Sequence, residues 1–182
     1  LHAAETDRGP IIVDKTAIAS SEREADSKRY ARSYAEGPLY ASVTGYFSSV
    51  GNASTGIEAA EEDVLDGQSQ TLLGQRLRNL LTGQNRQGGG VELTLNPDMQ
   101  KAAAAALGDR KGAVVALDAR TGAVLAMYSA PTFDPNQLAS SDASAVSDAF
   151  SALSSDPSNP LLNRTISERY APGSTFKILT TI

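Results

Sequence analysis

The sequence predicts an α+β chain that mixes strands, an antiparallel hairpin among them, with helices, and whose length suits one medium domain or one small domain plus part of another. Three observations carry this. Two apolar runs, Ala113 to Leu117 and Val124 to Tyr128, are joined by Asp118-Ala119-Arg120-Thr121-Gly122 and read as an antiparallel hairpin. Just before them, Asn96-Pro97-Asp98 caps an Ala-rich helix from Met99 to Leu107, which Gly108 ends. The third is a break in composition from Thr82 to Gly90, a Gly-rich run between two periodic stretches.

Taken in order, Gly9-Pro10 is a turn, Ile11-Ile12-Val13 a strand, and Lys15 to Ala19 its hairpin continuation. Charges dominate Glu22 to Arg32, which predicts a solvated helix or mobile loop rather than a binding patch. Leu39 to Phe47 alternates and carries β-branched and aromatic residues, so a strand is expected there. From Gly56 to Asp66 the chain gathers Glu58, Glu61, Glu62, Asp63 and Asp66. Acids near a helix start are favoured by its dipole, so we read them as structural rather than as a metal or glycosidase site. Leu72, Leu73, Leu77, Leu80 and Leu81 recur at helical spacing, a core-facing stripe rather than a partner groove. The Gly-rich run lacks a strand-loop-helix frame ending in Lys-Ser/Thr and reads as a flexible turn, not a phosphate cradle. Val91 to Leu95 is a strand. Ser129 to Pro160, rich in Ser, Asp, Asn and Pro, is expected to be a surface excursion with one short helix near Ala145 to Leu153.

Composition narrows the function. The 182 residues are 41% hydrophobic, enough for a folded core. A net charge of −5 with scattered Arg and Lys gives no footprint for nucleic acid. With no Cys there are no disulfides or thiolate metal sites, and the single histidine, His2, sits beside a terminus and makes a poor centre for a triad or zinc site. No apolar run approaches the roughly 18 residues of a membrane span. Leu1 follows no initiator Met and no charged-then-apolar leader, so a preceding segment is expected. Phe176 to Ile182 reads as a helix still under way, so we expect the chain to stop inside a domain.

The chemistry-bearing motif is Ser174-Thr175-Phe176-Lys177, behind Pro172-Gly173. On a helix, positions i and i+3 share a face, so the Ser174 hydroxyl and Lys177 amine come within reach of each other. A free hydroxyl does not give up its proton at neutral pH, whereas a desolvated, neutral lysine accepts it. The Pro-Gly turn puts Ser174 at a helix N-terminus, where backbone N–H groups, its own included, favour a developing oxyanion. Alone, the pattern is weak, since about half a Ser-x-x-Lys match is expected by chance in this composition.

Context strengthens it. Arg8-Gly9 with Ile12-Val13-Asp14-Lys15, Leu39 to Gly45, Gly56-Ile57-Glu58, Val91 to Leu95, Gly112 to Asp118, Thr121 to Met127, and Asn163-Arg164 ahead of Tyr170-Ala171-Pro172-Gly173-Ser174-Thr175-Phe176-Lys177 fall in the order of class B penicillin-binding proteins. Nearly the whole chain resembles that family, most closely its actinobacterial penicillin-binding protein A type. The resemblance implies a membrane-anchored, extracytoplasmic D,D-transpeptidase without a cofactor. It implies an elongated non-catalytic pedestal of dimerisation-domain type over 1–90 and the first portion of the transpeptidase domain over 91–182. Ser174 would be the nucleophile and Lys177 the base, acting on a stem pentapeptide from lipid II and trapped by β-lactams. A lipid-linked glycan polymerase and division or elongation proteins are the implied partners, and an N-terminal helix outside this chain the anchor. The family's Ser-x-Asn and Lys-Thr/Ser-Gly elements, expected after Ser174, are not among these residues, so the segment alone is expected to be inactive and to need the rest of its own domain. Two other classes stay open: a serine β-lactamase or penicillin-sensing domain, and a non-catalytic scaffold. The long stretch before Ser174 argues against the first.

Overall fold

The computed structural model describes residues 6–25, 27–69 and 88–180. The leucine stripe from Leu72 to Leu81, most of the Gly-rich run and His2 lie outside the described residues.

β1 (Ile11–Val13) turns back at Asp14 and Lys15, both at positive φ, into β2 (Thr16–Arg23). Two left-handed residues make a turn whose twist suits a tight hairpin. β2 then pairs with β3 (Tyr30–Tyr34), Ala19 facing Tyr34 and Arg23 facing Tyr30. The charged stretch from Glu22 to Arg32 is therefore mostly two strand ends and a short connection, not a solvated helix or loop. Period-two alternation explains it: Arg32 and Tyr34 turn inward and are buried, while Ser33 between them is exposed. β6 (Val91–Leu93) lies parallel to β1, with Ile11 opposite Val91, closing a sheet of order β3-β2-β1-β6.

Leu39 to Phe47, expected as a strand, is mainly helix. α1 (Gly37–Thr44) begins with Pro38 in its first turn and buries Tyr40, Ala41 and Thr44, positions i, i+1 and i+4. Strand propensity at Val43 and Tyr40 yields to this packing, because propensity differences are small beside burial of a helical face. The strand character survives only in β4 (Phe47–Ser48), paired with β5 (Ala53–Ser54). α2 (Gly56–Ala60) and α3 (Glu62–Leu65) follow.

At the described end of the Gly-rich run, the backbone is fastened rather than loose. Gly88 N–H donates to Asp7 O at 2.7 Å, Gly89 N–H to Val64 O at 2.8 Å and Gly9 N–H to Leu65 O at 2.8 Å. A Cβ on Gly9 would run into the Gly89 carbonyl, and one on Gly88 into the Leu65 carbonyl. Close backbone approach is what these glycines permit.

In α4 (Pro97–Leu107), Asn96 Oδ1 accepts Met99 N–H at 3.0 Å, and Gly108 caps the C-terminus, as the sequence predicts. β7 (Gly112–Leu117) and β8 (Val124–Ala130) form the expected hairpin, its loop tied by Asp118 Oδ1 accepting the amides of Arg120 and Thr121 at 2.8 and 2.9 Å. Residues 129–160 do contain one α-helix, α5 (Ala143–Ser155), but they are no mere surface excursion. A 3₁₀ turn at Pro135–Leu138 buries Leu138, and Ala139 joins the main core with Ile11, Val13, Ile18, Tyr34, Tyr40, Leu65 and Leu95. One core therefore draws on both halves of the chain.

Candidate active site

Ser174 lies in a 3₁₀ turn, Gly173–Phe176, that runs into α7 (Lys177–Thr180). Gly173 is at φ +53°, a left-handed conformation that glycine adopts without steric cost. Pro172 O accepts Thr175 N–H at 3.1 Å and also the Thr175 hydroxyl. Lys177 N–H points back to Ser174 O. At three residues per turn, positions i and i+3 eclipse, which aligns Ser174 with Lys177 on one face. Both side chains are exposed, as are Tyr170, Phe176 and Leu179 around them.

The approach to Ser174 is anchored by α6 (Arg164–Ser167). Asn163 caps it, its Oδ1 accepting the N–H and hydroxyl of Thr165, while its Nδ2 donates to Ser42 O of α1 at 2.6 Å. Arg164, 2% exposed, donates through Nη2 to Ser158 O at 2.6 Å and through Nη1 to Asn159 O at 3.1 Å and Leu162 O at 3.3 Å. Its Nε sits 3.0 Å from the Glu168 carboxylate, an ion pair without hydrogen-bond alignment. Its own N–H is taken by Ser129 Oγ of β8 at 3.0 Å. The guanidinium fork thus folds the loop before α6 around itself, and the Arg164 main-chain N–H ties it to the hairpin.

Gln100, fully buried on α4, completes the frame. Its Oε1 accepts Met127 N–H at 2.8 Å, and its Nε2 donates to Met127 O at 2.9 Å and Leu39 O at 2.8 Å. One side chain so mimics a neighbouring strand for β8 and holds α1 against it. Sequence reasoning passed over Gln100. The available signal was its spacing of three from Ala103 and seven from Leu107, a polar residue on the helix face that meets the core.

Glu58, read from sequence as structural through the helix dipole, is structural through a buried ion cluster. Its carboxylate accepts Arg8 Nε at 2.6 Å, Arg32 Nε at 2.7 Å and Tyr34 OH at 3.0 Å. Tyr34 OH in turn accepts Phe47 N–H at 2.8 Å, and the Arg8 guanidinium lies 4.3 Å above the Phe47 ring. Burial, and then the Glu58 charge, push the Tyr34 phenol far above its ordinary range, so it stays neutral and donates to Glu58. Burial likewise raises the Asp7 carboxyl, against the opposing pull of Arg32.

Among the described residues, no group of three His, Cys, Asp or Glu side chains is placed to hold a metal, and no helix is long and apolar enough to cross a membrane.

Two family models match: the penicillin binding protein A dimerisation domain over residues 8–91 and the penicillin binding protein transpeptidase domain over residues 112–182. The chain belongs to the class B penicillin-binding proteins, of the penicillin-binding protein A type. It is 46% identical over 179 residues to the peptidoglycan D,D-transpeptidase PbpA of Mycolicibacterium smegmatis, a match covering 96% of this chain and 36% of the relative. The PbpA of Mycobacterium tuberculosis is 42% identical over the same shares. The chain thus spans about a third of the length of these relatives. Among solved structures, the imipenem acyl-enzyme complex of penicillin-binding protein A from M. tuberculosis superposes with a TM-score of 0.92 at 40% identity, covering 98% of this chain and 42% of that one. The penicillin G acyl-enzyme complex of the same protein gives 0.91 at 41%, covering 97% and 41%.

Proposed function

We propose that this chain is part of a peptidoglycan D,D-transpeptidase in which Ser174 is the nucleophile and Lys177 the base. The observation that carries the reading is the Ser174–Lys177 pair one 3₁₀ turn apart, inside the stretch that matches the transpeptidase domain. Ser174 Oγ attacks the penultimate D-Ala carbonyl of a stem pentapeptide and its proton passes to Lys177 Nζ. The C–N bond to the terminal D-Ala breaks, the leaving amine takes a proton, and a Ser174 ester remains. An amine from a neighbouring stem attacks that ester, forms the cross-linking amide and restores the Ser174 hydroxyl. A β-lactam enters by the same attack, its ring amide opening onto Ser174 Oγ. Penicillin-binding protein A from M. tuberculosis, which forms acyl-enzymes with imipenem and penicillin G, supports this.

In this reading residues 1–90 serve as the non-catalytic pedestal and 91–182 open the transpeptidase domain, working at the extracytoplasmic face of the membrane with a lipid-linked glycan polymerase and division or elongation proteins. Residues 1–182 by themselves do not acylate efficiently, since Ser174 and Lys177 stand exposed rather than in a desolvating pocket.

The test is intact mass with and without penicillin G, on residues 1–182 and on the full natural polypeptide that carries them. One drug mass on the full polypeptide, lost in Ser174→Ala and retained after overnight incubation, is expected. Rapid loss of the adduct with turnover would replace the reading by a β-lactamase, and no adduct would leave a scaffold.

A further inference from the structure

α6 ends at Ser167 and the 3₁₀ turn begins at Gly173, so the turn that carries Ser174 joins the frame through residues 168–172. Among the described residues, the main chain from Arg169 to Ala171 makes no hydrogen bond, and residues 169–172 are exposed. Neither a ladder nor a buried side chain fixes this stretch. What reaches it is a relay of side chains. Glu168 Oε2 accepts the Tyr170 hydroxyl at 2.9 Å, and the same oxygen stands 3.0 Å from Arg164 Nε. Local geometry sets up both contacts. Glu168 has left the helix for extended backbone, φ −100° and ψ 140°, where side chains two apart share a face. Arg164 and Glu168 are four apart across α6, the spacing at which opposite charges meet.

The relay starts from a fixed point. The Arg164 side chain is buried, its fork closed on the carbonyls of Ser158, Asn159 and Leu162 and its main-chain N–H on Ser129 Oγ. It ends at Tyr170, two residues before Pro172. Exposed ion pairs contribute little, but this cation is shut away from water, and Glu168 is only 28% exposed. Arg164 Nε has no aligned hydrogen bond among the described residues, so the Glu168 carboxylate is the anion that answers its charge. The bond to Glu168 holds the Tyr170 phenol above its ordinary range, so it stays protonated and remains a donor. Without Glu168, the buried cation loses its counter-charge and the Tyr170 hydroxyl its acceptor at once.

We propose that Glu168 is a positioning residue for Ser174, facing buried Arg164 with the carboxylate that also takes the Tyr170 hydroxyl and so fixing the chain that enters the Pro172-Gly173-Ser174 turn. It acts through that chain and exchanges no proton with substrate. A nucleophile displaced by about 1 Å loses rate rather than ligand, so the effect falls on the acylation step and not on initial binding. The consequence for acylation rests on the transpeptidase reading above; the ordering of residues 168–172 by Glu168 does not.

Two readouts on the full natural polypeptide test this. One is the penicillin G acylation step, resolved from initial binding by stopped flow; the other is the rate at which trypsin cuts after the exposed Arg169, which reports local opening. Glu168→Ala is expected to slow acylation roughly 10-fold, with initial affinity within about 2-fold and the melting temperature within about 2 °C of the parent. Glu168→Gln, which keeps an oxygen for Tyr170, is expected to recover part of the rate. Tyr170→Phe is expected to slow acylation roughly 3-fold, the effect of one lost hydrogen bond, and to add nothing to Glu168→Ala because both remove the same link. It also alters the cleavage site least, and is expected to be cut roughly 3-fold faster after Arg169. Parental acylation in Glu168→Ala overturns the proposal, as do effects of the two substitutions that multiply. A melting temperature lowered by about 5 °C or more in Glu168→Ala overturns it as well, since that marks a general structural role. If the parent itself does not acylate, the transpeptidase reading falls and trypsin decides the proposal alone: faster cutting of Tyr170→Phe upholds it, and unchanged cutting overturns it.

Discussion

Replacing Glu58 by Ala removes the carboxylate that holds two buried guanidinium groups. Glu58 is fully buried, and Arg8 and Arg32 are 4% and 6% exposed, so water does not take over the lost role. Three hydrogen bonds to the carboxylate vanish, from Arg8 Nε, Arg32 Nε and Tyr34 OH. Removing one partner of a buried pair costs about 3–5 kcal/mol, because the other charge is left uncompensated. Here two cations are stranded, which argues for the upper end. Against that, Arg8 Nη2 keeps its bond to the Glu58 main-chain carbonyl and its place over the Phe47 ring, and Arg32 Nη1 keeps the carbonyls of Arg8 and Gly9. The balance is about 4 kcal/mol. With a urea m-value of about 2 kcal/mol/M, the unfolding midpoint falls by about 2 M. Glu58→Gln keeps an acceptor of the same shape and is expected to lose about half as much. Urea titration followed by circular dichroism measures both. A midpoint shift under about 0.5 M for Glu58→Ala would refute the structural role of this buried ion cluster.

Gln100→Leu leaves Met127 N–H and Leu39 O without the Gln100 amide, while Met127 O keeps the Ser42 hydroxyl, and is expected to cost about 2–4 kcal/mol in the same titration; a neutral result would show that water replaces the amide. Gly88→Ala drives a Cβ into the Leu65 carbonyl and is expected to lower the melting temperature by about 5 °C or more, while Gly90→Ala, with only ordinary contacts, is expected to be nearly silent. Arg164→Lys keeps the charge but loses the fork on Ser158, Asn159 and Leu162, so penicillin acylation of Ser174 in the full polypeptide is expected to slow roughly 10- to 100-fold; an unchanged rate would separate this anchor from the serine. The Asp142 carboxylate is held below its ordinary range by the Ser144 hydroxyl and the amides of Ala145 and Ser144. A depressed carboxyl stabilises the fold above its unfolded pKa of about 3.9 and loses that effect as pH falls through its folded value. The melting temperature of Asp142→Asn is therefore expected to lie below that of the parent at pH 6 and to converge on it below about pH 4.

How far the chain could be read depends on how local each decision was. Asn96 and Gly108 bracket α4 because capping is settled within one turn, and the β7–β8 hairpin was legible because its two strands and its Asp118 turn are contiguous. Ser174 and Lys177 stood out as candidates for the same reason, both lying in a single turn. Two of the misread stretches show why distant partners matter. Val43 and Tyr40 look like strand residues, but what makes them helical is the burial of Tyr40, Ala41 and Thr44 against the core. The run from Glu22 to Arg32 looks solvated, but Arg32 turns inward because its counter-ion, Glu58, arrives from 26 positions later.

By itself, the sequence determined the α+β class, the caps and hairpin turns, the family, and the Ser174-x-x-Lys177 spacing, all of which depend on residue types a few positions apart or on their order along the chain. Only the tertiary structure decided that Val91 returns to pair with Ile11, that Asn163 is tied to Ser42 across 121 positions, and that Gln100 holds Leu39 and Met127 together. The physical reason is common to all three: a backbone donor or acceptor accepts any suitable partner, so its choice is fixed only when burial removes water as the alternative.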